Sequence, residues 1–263
     1  MGSSIVLRLL KVTHYYRNKR AKKWYLPFGY GAEDINLNNI SLHIYQGESL
    51  GIIGEPGSSK TLIGRILSGT VKPDKGKVSR TENLFYGDME DRKVAHQSVQ
   101  EYVDDMVQLF PYKASSHKAE QIIHWAHLAE QGENSISNLT EAEYAQLLLS
   151  IARSCQNKII ILSHVLSHLD DVFFERAIEL SDDYIKNNST LVLIDNDIDK
   201  ISETTNYITW VSHGQIRKEG SLNQVLPIFK EHEKDRKSLD SKSQQENFDL
   251  DWKKSRTRMP EMT

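Results

Sequence analysis

The sequence predicts an α/β fold. Segments of helical period alternate with short strands, which is the pattern of α/β proteins. Two late runs, KIIILS (158–163) and STLVLID (189–195), are continuously apolar and β-branched, as are strands buried on both faces of a parallel sheet. A glycine-bearing turn also joins an early apolar strand to a helix, in GIIGEPGSSKTLIGRIL (51–67).

The N-terminal segments predict strands. SIVLRLLKVTHYY (4–16) and ISLHIYQGESLGIIG (40–54) are dense in branched and aromatic residues, which favours β structure. Residues 17–39 between them contain a basic run, Lys19–Lys23, then aromatics and glycines. We interpret this stretch as an exposed insertion, either a solvated loop or a contact surface for anionic lipid or a partner.

Helices are predicted after the turn and in the middle of the chain. The first ends at Gly69 and Pro73, and residues 98–155 indicate a mainly helical subdomain. Segments 140–155 and 170–188 have helical period and precede the two late strands. Residues 207–221 predict a hairpin that turns at Gly214. We expect one domain over 1–228 and a charged C-terminal extension over 229–263, partly helical and partly disordered.

Composition restricts the class of protein. A chain of 263 residues can bury a substantial core without disulfides, and its single cysteine, Cys155, fits a reducing cytosolic compartment. The net charge of −3 provides no global attraction for nucleic acid, which we do not expect as a partner. No apolar run is long enough to span a bilayer.

The turn at 54–61 resembles a phosphate-binding P-loop. Such a loop directs backbone N–H groups and a helix N-terminus at phosphates, while lysine adds charge and Ser/Thr binds Mg²⁺. The expected ATP-binding residues are Gly54, Glu55, Pro56, Gly57, Ser58, Ser59, Lys60, Thr61 and Leu62, with Thr61 as the Mg²⁺ ligand. Ser59 occupies a position where the pattern has glycine, so its Cβ is expected to crowd the anion or strain the turn.

With these residues, the chain as a whole resembles the nucleotide-binding subunits of ATP-binding-cassette (ABC) transporters. The resemblance is strongest to the teichoic-acid and polysaccharide export branch. The resemblance covers about residues 5–229 and includes LTEAE (139–143) at the signature position and IIILSHVLSHLD (159–170) at the Walker B and D-loop segment. It implies an ABC nucleotide-binding domain of the P-loop NTPase type. It also implies that Tyr16, or else Tyr15, stacks on adenine.

The resemblance further implies that the hydrolytic residues are missing. Family members use a Walker B aspartate, an adjacent glutamate and a switch histidine to hold the metal shell, orient water and contact the γ-phosphate. The corresponding residues here are Ser163, His164 and Asn196, so no catalytic residue is assigned. In the signature, Thr140 can replace the serine hydroxyl, but two glutamates, Glu141 and Glu143, add negative charge where an anion is contacted.

The implied partners are a multi-span membrane permease and a second ATP-binding subunit, in a homodimer or a heterodimer. The implied location is cytoplasmic, at the inner face of the cell membrane through that permease. We therefore expect a pseudo-ATPase with a structural, regulatory or nucleotide-sensing role. Two alternatives are a slow but active ATPase that drives export of a cell-envelope polymer and a nucleotide-independent binding module.

Overall fold

The computed structural model describes residues 4–15, 35–91, 96–239, 241, 243–245 and 247–249. The residue expected to stack on adenine, Tyr16, and the basic run Lys19–Lys23 lie outside the described residues.

Nine strands form two sheets in the described chain. A six-stranded sheet has the order β5-β6-β7-β3-β8-β9, parallel except for the β8–β9 pair, and a three-stranded antiparallel sheet has the order β2-β1-β4. The strands are β1 (Ile5–Tyr15), β2 (Ile35–Tyr45), β3 (Ser49–Ile53), β4 (Lys75–Arg80), β5 (Leu84–Asp88), β6 (Ile159–Ser163), β7 (Thr190–Ile194), β8 (Tyr207–Ser212) and β9 (Gln215–Ser221).

Seven α-helices accompany these sheets in the described part of the chain. They are α1 (Lys60–Ser68), α2 (Val99–Gln108), α3 (Lys118–Trp125), α4 (Glu141–Cys155), α5 (Asp171–Lys186), α6 (Ile198–Thr204) and α7 (Leu222–Lys237). Helices α2 and α3 pack with the start of α4, which gives the helical subdomain expected from the sequence. The prediction of an α/β fold is confirmed.

The central strands explain the apolar runs. All five residues of β3, β6 and β7 are buried, because helices and the second sheet cover both faces of these strands. Parallel strands end at a common edge, and here Asp88, Ser163 and Ile194 are in register at the ends of β5, β6 and β7. The loop after β3 opens at the same edge, so the topology brings four loops to one site.

Two segments differ from the expected boundaries. The insertion was expected to extend to residue 39, but β2 already begins at Ile35, where it pairs with Tyr15 of β1. The N–H of Asn38 also donates to the Gly214 carbonyl at 2.9 Å, which joins β2 to the predicted hairpin turn. Helix α7 runs continuously through residues 228 and 229, and the domain boundary proposed there stays a prediction.

Candidate nucleotide site

Two glycines shape the loop between β3 and α1. Gly54 has no space for a side chain, because an added Cβ would collide with the backbone carbonyl oxygen of Val211. Gly57 has a φ of 83° and open space around it, so backbone conformation rather than packing favours glycine there. The loop therefore keeps glycine at both positions that need it.

Ser59 adopts the conformation that a glycine would adopt without strain. Its φ of 69° and ψ of 20° are left-handed, and this region costs a residue with a Cβ about 1–2 kcal/mol. Ser59 immediately precedes α1, but its side chain forms no cap hydrogen bond with that helix. The serine is thus strained without the compensation that an N-cap serine usually provides.

Lys60 is bound by the loop itself. Its side chain is buried, and Nζ donates to the carbonyl oxygens of Gly54 at 3.1 Å and Glu55 at 3.4 Å. Burial lowers the pKa of Lys60, and nearby carboxylates, above all Glu55, oppose that shift. A phosphate at this loop would replace the two carbonyls as the partner of the ammonium group.

The Thr61 hydroxyl is hydrogen-bonded to His164. Thr61 Oγ1 and His164 Nε2 are 2.9 Å apart, although 103 residues separate them in the chain. His164 directly follows β6 with a φ of 58°, and its N–H donates to the Ile194 carbonyl at 2.7 Å. Burial lowers the pKa of His164, while the Asp195 carboxylate acts in the opposite direction. His164, which was expected at the Walker B glutamate position, therefore contacts the hydroxyl that was expected to bind metal.

Ser163 provides no charge at the end of β6. It is fully buried, and its hydroxyl has no hydrogen-bond partner among the described residues. Asp88 lies beside it in register on β5, but its Oδ2 accepts from Arg65 Nε and from the Tyr86 hydroxyl, both at 2.8 Å. A carboxylate is thus present at this edge, and it is paired with Arg65.

Asp195 also has a structural role. Its carboxylate is fully buried and accepts three backbone hydrogen bonds. Its Oδ1 accepts from the N–H groups of Asn196 at 2.7 Å and Asp197 at 3.1 Å, and its Oδ2 accepts from that of Ser167 at 3.1 Å. Asn196, at the switch position, lines a cavity of about 640 Å³ between the P-loop and α7.

These residues do not fit a conventional Mg²⁺ site. Magnesium in nucleotide sites is held by one or two carboxylates, a hydroxyl and phosphate oxygens. Here the Thr61 hydroxyl is bonded to His164 and the Asp88 carboxylate to Arg65, and Ser163 is neutral. A metal ion would have to displace at least one of these contacts.

The other predicted loop contacts have distinct environments. The Glu55 carboxylate is buried and lies 3.5 Å from His213 Nδ1. Burial raises its pKa, but interactions with His213 and Ser212 outweigh this effect and leave the pKa at about 2. Ser58 is buried, Pro56 is exposed, and Leu62 packs against the core beneath the three-stranded sheet. That these residues contact nucleotide stays a prediction.

The residues predicted to form the signature cap the N-terminus of α4. Thr140 is the N-cap of α4, and its hydroxyl accepts from the Glu143 N–H at 3.2 Å, while Glu143 Oε2 accepts from the Thr140 N–H at 2.8 Å. This reciprocal arrangement is a capping box. Glu141 is largely exposed and lies 3.2 Å from His168 Nδ1. One carboxylate of this segment, that of Glu141, is thus exposed, and its position beside a bound anion stays a prediction.

Tyr15, the alternative residue predicted to stack on adenine, is the last residue of β1. The Tyr15 N–H donates to Asp74 Oδ2 at 2.9 Å, and the Lys75 ammonium lies 5.5 Å from the Tyr15 ring centroid. This ring therefore has a cation–π partner in the protein.

Within the described residues, no helix combines the length and apolar character required to cross a bilayer.

Comparison with known proteins agrees with this geometry. Residues 37–164 match the family model described as ABC transporter. The chain is 22% identical over 254 residues to the teichoic acids export ATP-binding protein TagH of Staphylococcus haemolyticus, covering 93% of this chain and 95% of that protein. It is 23% identical to the protein of the same name from Staphylococcus saprophyticus, covering 92% of each.

Solved structures support the fold. The ATP-binding cassette MJ0796 in its dimeric, post-hydrolysis state with ADP and phosphate superimposes with a TM-score of 0.68 at 18% identity, covering 82% of this chain and 98% of that one. The ATP-binding subunit of another ABC transporter gives a TM-score of 0.67 at 13% identity, with 85% and 93% covered. Residues 37–164 therefore resemble an ABC transporter domain, and over most of its length the chain is similar to proteins named teichoic acids export ATP-binding protein.

Proposed function

We propose that this protein is the nucleotide-sensing or structural ATP-binding subunit of an ABC exporter of a cell-envelope polymer, and that it binds ATP without hydrolysing it efficiently. The observation that carries this proposal is the hydrogen bond between Thr61 and His164. In a working site, the hydroxyl corresponding to Thr61 binds Mg²⁺ and a glutamate carboxylate at the position of His164 orients the attacking water. Here the hydroxyl and the imidazole are hydrogen-bonded to each other instead.

The surrounding charges support binding without hydrolysis. Lys60 and the N–H groups at the start of α1 can attract a phosphate. The two carboxylates near the ends of β5 and β7, Asp88 and Asp195, are held by Arg65 and by backbone N–H groups. These hydrogen bonds give both carboxylates structural roles and leave fewer lone pairs for a water molecule.

The relatives motivate the proposed setting. A subunit of this kind pairs with a multi-span permease at the inner face of the cell membrane and closes on a second ATP-binding subunit. The exposed carboxylate of Glu141 and the capping role of Thr140 weaken the γ-phosphate contact that this chain would offer across that dimer. We therefore propose a partner with sites of its own rather than a homodimer that supplies all the hydrolysis.

The test compares purified parent protein with Lys60→Ala. We expect labelled ATP to bind the parent at least tenfold more tightly, because the variant lacks the buried ammonium group, and we expect both proteins to hydrolyse ATP equally slowly. Hydrolysis by the parent that exceeds the variant by orders of magnitude contradicts the pseudo-ATPase proposal. Equal ATP binding by the two proteins contradicts nucleotide sensing and supports a nucleotide-independent module.

A slow ATPase is the second candidate, and the position of His164 favours it. Burial lowers the pKa of this imidazole, so the neutral form that can accept a proton predominates at neutral pH. If His164 is such a base, His164→Ala abolishes the residual hydrolysis while ATP still binds. Residual hydrolysis that is equal in His164→Ala and parent excludes this role.

A further inference from the structure

The C-terminal extension returns to the outer side of the P-loop. Phe229 of α7 packs edge-to-face against Trp210 of β8, with ring centroids 5.2 Å apart. Beyond α7, Asp249 is buried, with 2% of its surface exposed. The backbone carbonyl of Asp249 accepts from Arg217 Nη2 at 3.0 Å. The extension thus places a buried carboxylate next to the loop that follows β3.

Three possible metal ligands meet at this junction. Glu55 of the P-loop, His213 of the β8–β9 turn and Asp249 each direct one ligand atom into it, and these atoms all lie within 4.8 Å of one another. Glu55 is only 3% exposed, and neither of its carboxylate oxygens accepts a hydrogen bond from the described residues. The nearest ionisable partner of Glu55 is His213, at 3.5 Å.

Three carboxylates, Glu55, Asp249 and Glu233, and two arginines, Arg217 and Arg236, surround this junction. Arg236 Nε donates to Asp249 Oδ2 at 3.0 Å, and the same guanidinium lies 3.9 Å from Glu233, so two carboxylates share one cation. The other oxygen of Asp249 faces His232 Nε2 at 3.3 Å. Buried carboxylates this close repel one another unless a cation lies between them.

The ligand set indicates which cation suits the junction. One imidazole nitrogen and two carboxylate oxygens are typical of Zn²⁺ and related transition metals, whereas Mg²⁺ and Ca²⁺ prefer oxygen ligands. Bonds of about 2.0–2.2 Å in a tetrahedral site place ligand atoms about 3.4 Å apart. The ligand atoms, now within 4.8 Å of one another, therefore need to approach by up to about 1.4 Å to hold a tetrahedral ion.

We propose that Glu55, His213 and Asp249 bind a divalent transition metal ion of the zinc class, which fastens the C-terminal extension to the P-loop. The fourth position is taken by water or by His232, whose ring already lies against Asp249. Two of its ligands, His213 and Asp249, are not among the predicted nucleotide-binding residues, and the Thr61–His164 pair is not part of it.

The experiment uses the full chain, stripped with EDTA and free of nucleotide. Zn²⁺ binding is measured by isothermal titration calorimetry, and Co²⁺ is the spectroscopic probe, because its visible bands report four- or five-coordinate nitrogen and oxygen ligation. We expect one Zn²⁺ per chain. We expect at least tenfold weaker binding in the near-isosteric variants Glu55→Gln and Asp249→Asn.

Two controls separate this site from its surroundings. Asp199→Asn removes an exposed carboxylate beside the neighbouring cavity, and Thr61→Ala removes the hydroxyl of the nucleotide site; both should bind Zn²⁺ like the parent. If the buried variants misfold, His213→Asn serves instead, because asparagine tolerates the left-handed backbone at that turn. Absence of stoichiometric binding, or binding that none of the ligand variants weakens, means that the junction is an ion-pair network only and overturns the proposal.

Discussion

Replacing Ser59 with glycine should stabilise the nucleotide-free protein. The φ of 69° at this position costs serine about 1–2 kcal/mol. Glycine avoids that cost, but it gains about 0.4–1 kcal/mol of conformational freedom in the unfolded chain. No cap hydrogen bond is lost, because the Ser59 side chain forms none with α1. The expected net stabilisation is therefore about 0.8 kcal/mol, the middle of a range of about 0–1.6 kcal/mol.

Urea unfolding measures this difference, with a matched reverse substitution at Gly57. That glycine has a φ of 83° and no atom within 4 Å of an added Cβ, so Gly57→Ser introduces backbone strain without a steric clash. We expect the two variants to shift the free energy of unfolding in opposite directions. In a thermal scan, Ser59→Gly should melt about 1–4 °C higher than the parent.

A loss of stability in Ser59→Gly would refute the reasoning, since it would mean that the serine side chain forms a stabilising contact that outweighs its strain. The same variant also tests the predicted crowding of the anion. We expect Ser59→Gly to bind labelled ATP more tightly than the parent. Equal affinity would mean that the serine Cβ does not approach the phosphates.

Three further predictions concern buried groups. Asp195→Ala should lose about 3 kcal/mol of unfolding free energy, because three N–H groups lose a charged acceptor, whereas exposed Asp199→Ala should change it by about 0.5 kcal/mol or less in the same urea titration. The parent should bind ATP with equal affinity in EDTA and in Mg²⁺. In His164→Ala, which frees the Thr61 hydroxyl, Mg²⁺ should raise the affinity for ATP about tenfold. If Mg²⁺ already raises the affinity of the parent, the Thr61–His164 hydrogen bond does not exclude the metal. Cys155 is buried with its pKa raised to about 11, so roughly a thousandth of the thiol is ionised at pH 8; a thiol reagent should label it only after unfolding, and rapid labelling of folded protein would contradict the described packing.

Local pattern was sufficient to predict most of the fold. The apolar runs at 159–163 and 190–194 are strands, because only a strand buried on both faces requires such continuous apolar sequence. The turn at Gly214 and the helix after the P-loop likewise follow from short-range signals. The start of β2 at Ile35 was missed, because INLNN has few branched residues and gains its hydrogen bonds from β1 and the Gly214 turn.

In the candidate site, too, some features can be recognised in the sequence and others depend on packing. The substitutions at Ser59, Ser163, His164 and Asn196 are visible in the sequence, because each departs from a residue type that its chemistry requires. The role of Asp88 was missed, although a carboxylate that ends a strand signals a side chain at the shared edge of a parallel sheet. Its pairing with Arg65 depends on how α1 packs beside β5.

Residue identity and short spacing were enough to predict the α/β class, the phosphate loop and the absence of the expected hydrolytic residue types. Long-range packing alone brings His164 to Thr61, backbone N–H groups to Asp195, and Glu55 to Asp249 of the C-terminal extension. Such contacts join residues separated by up to 194 positions, and their geometry is set by packing rather than by local pattern.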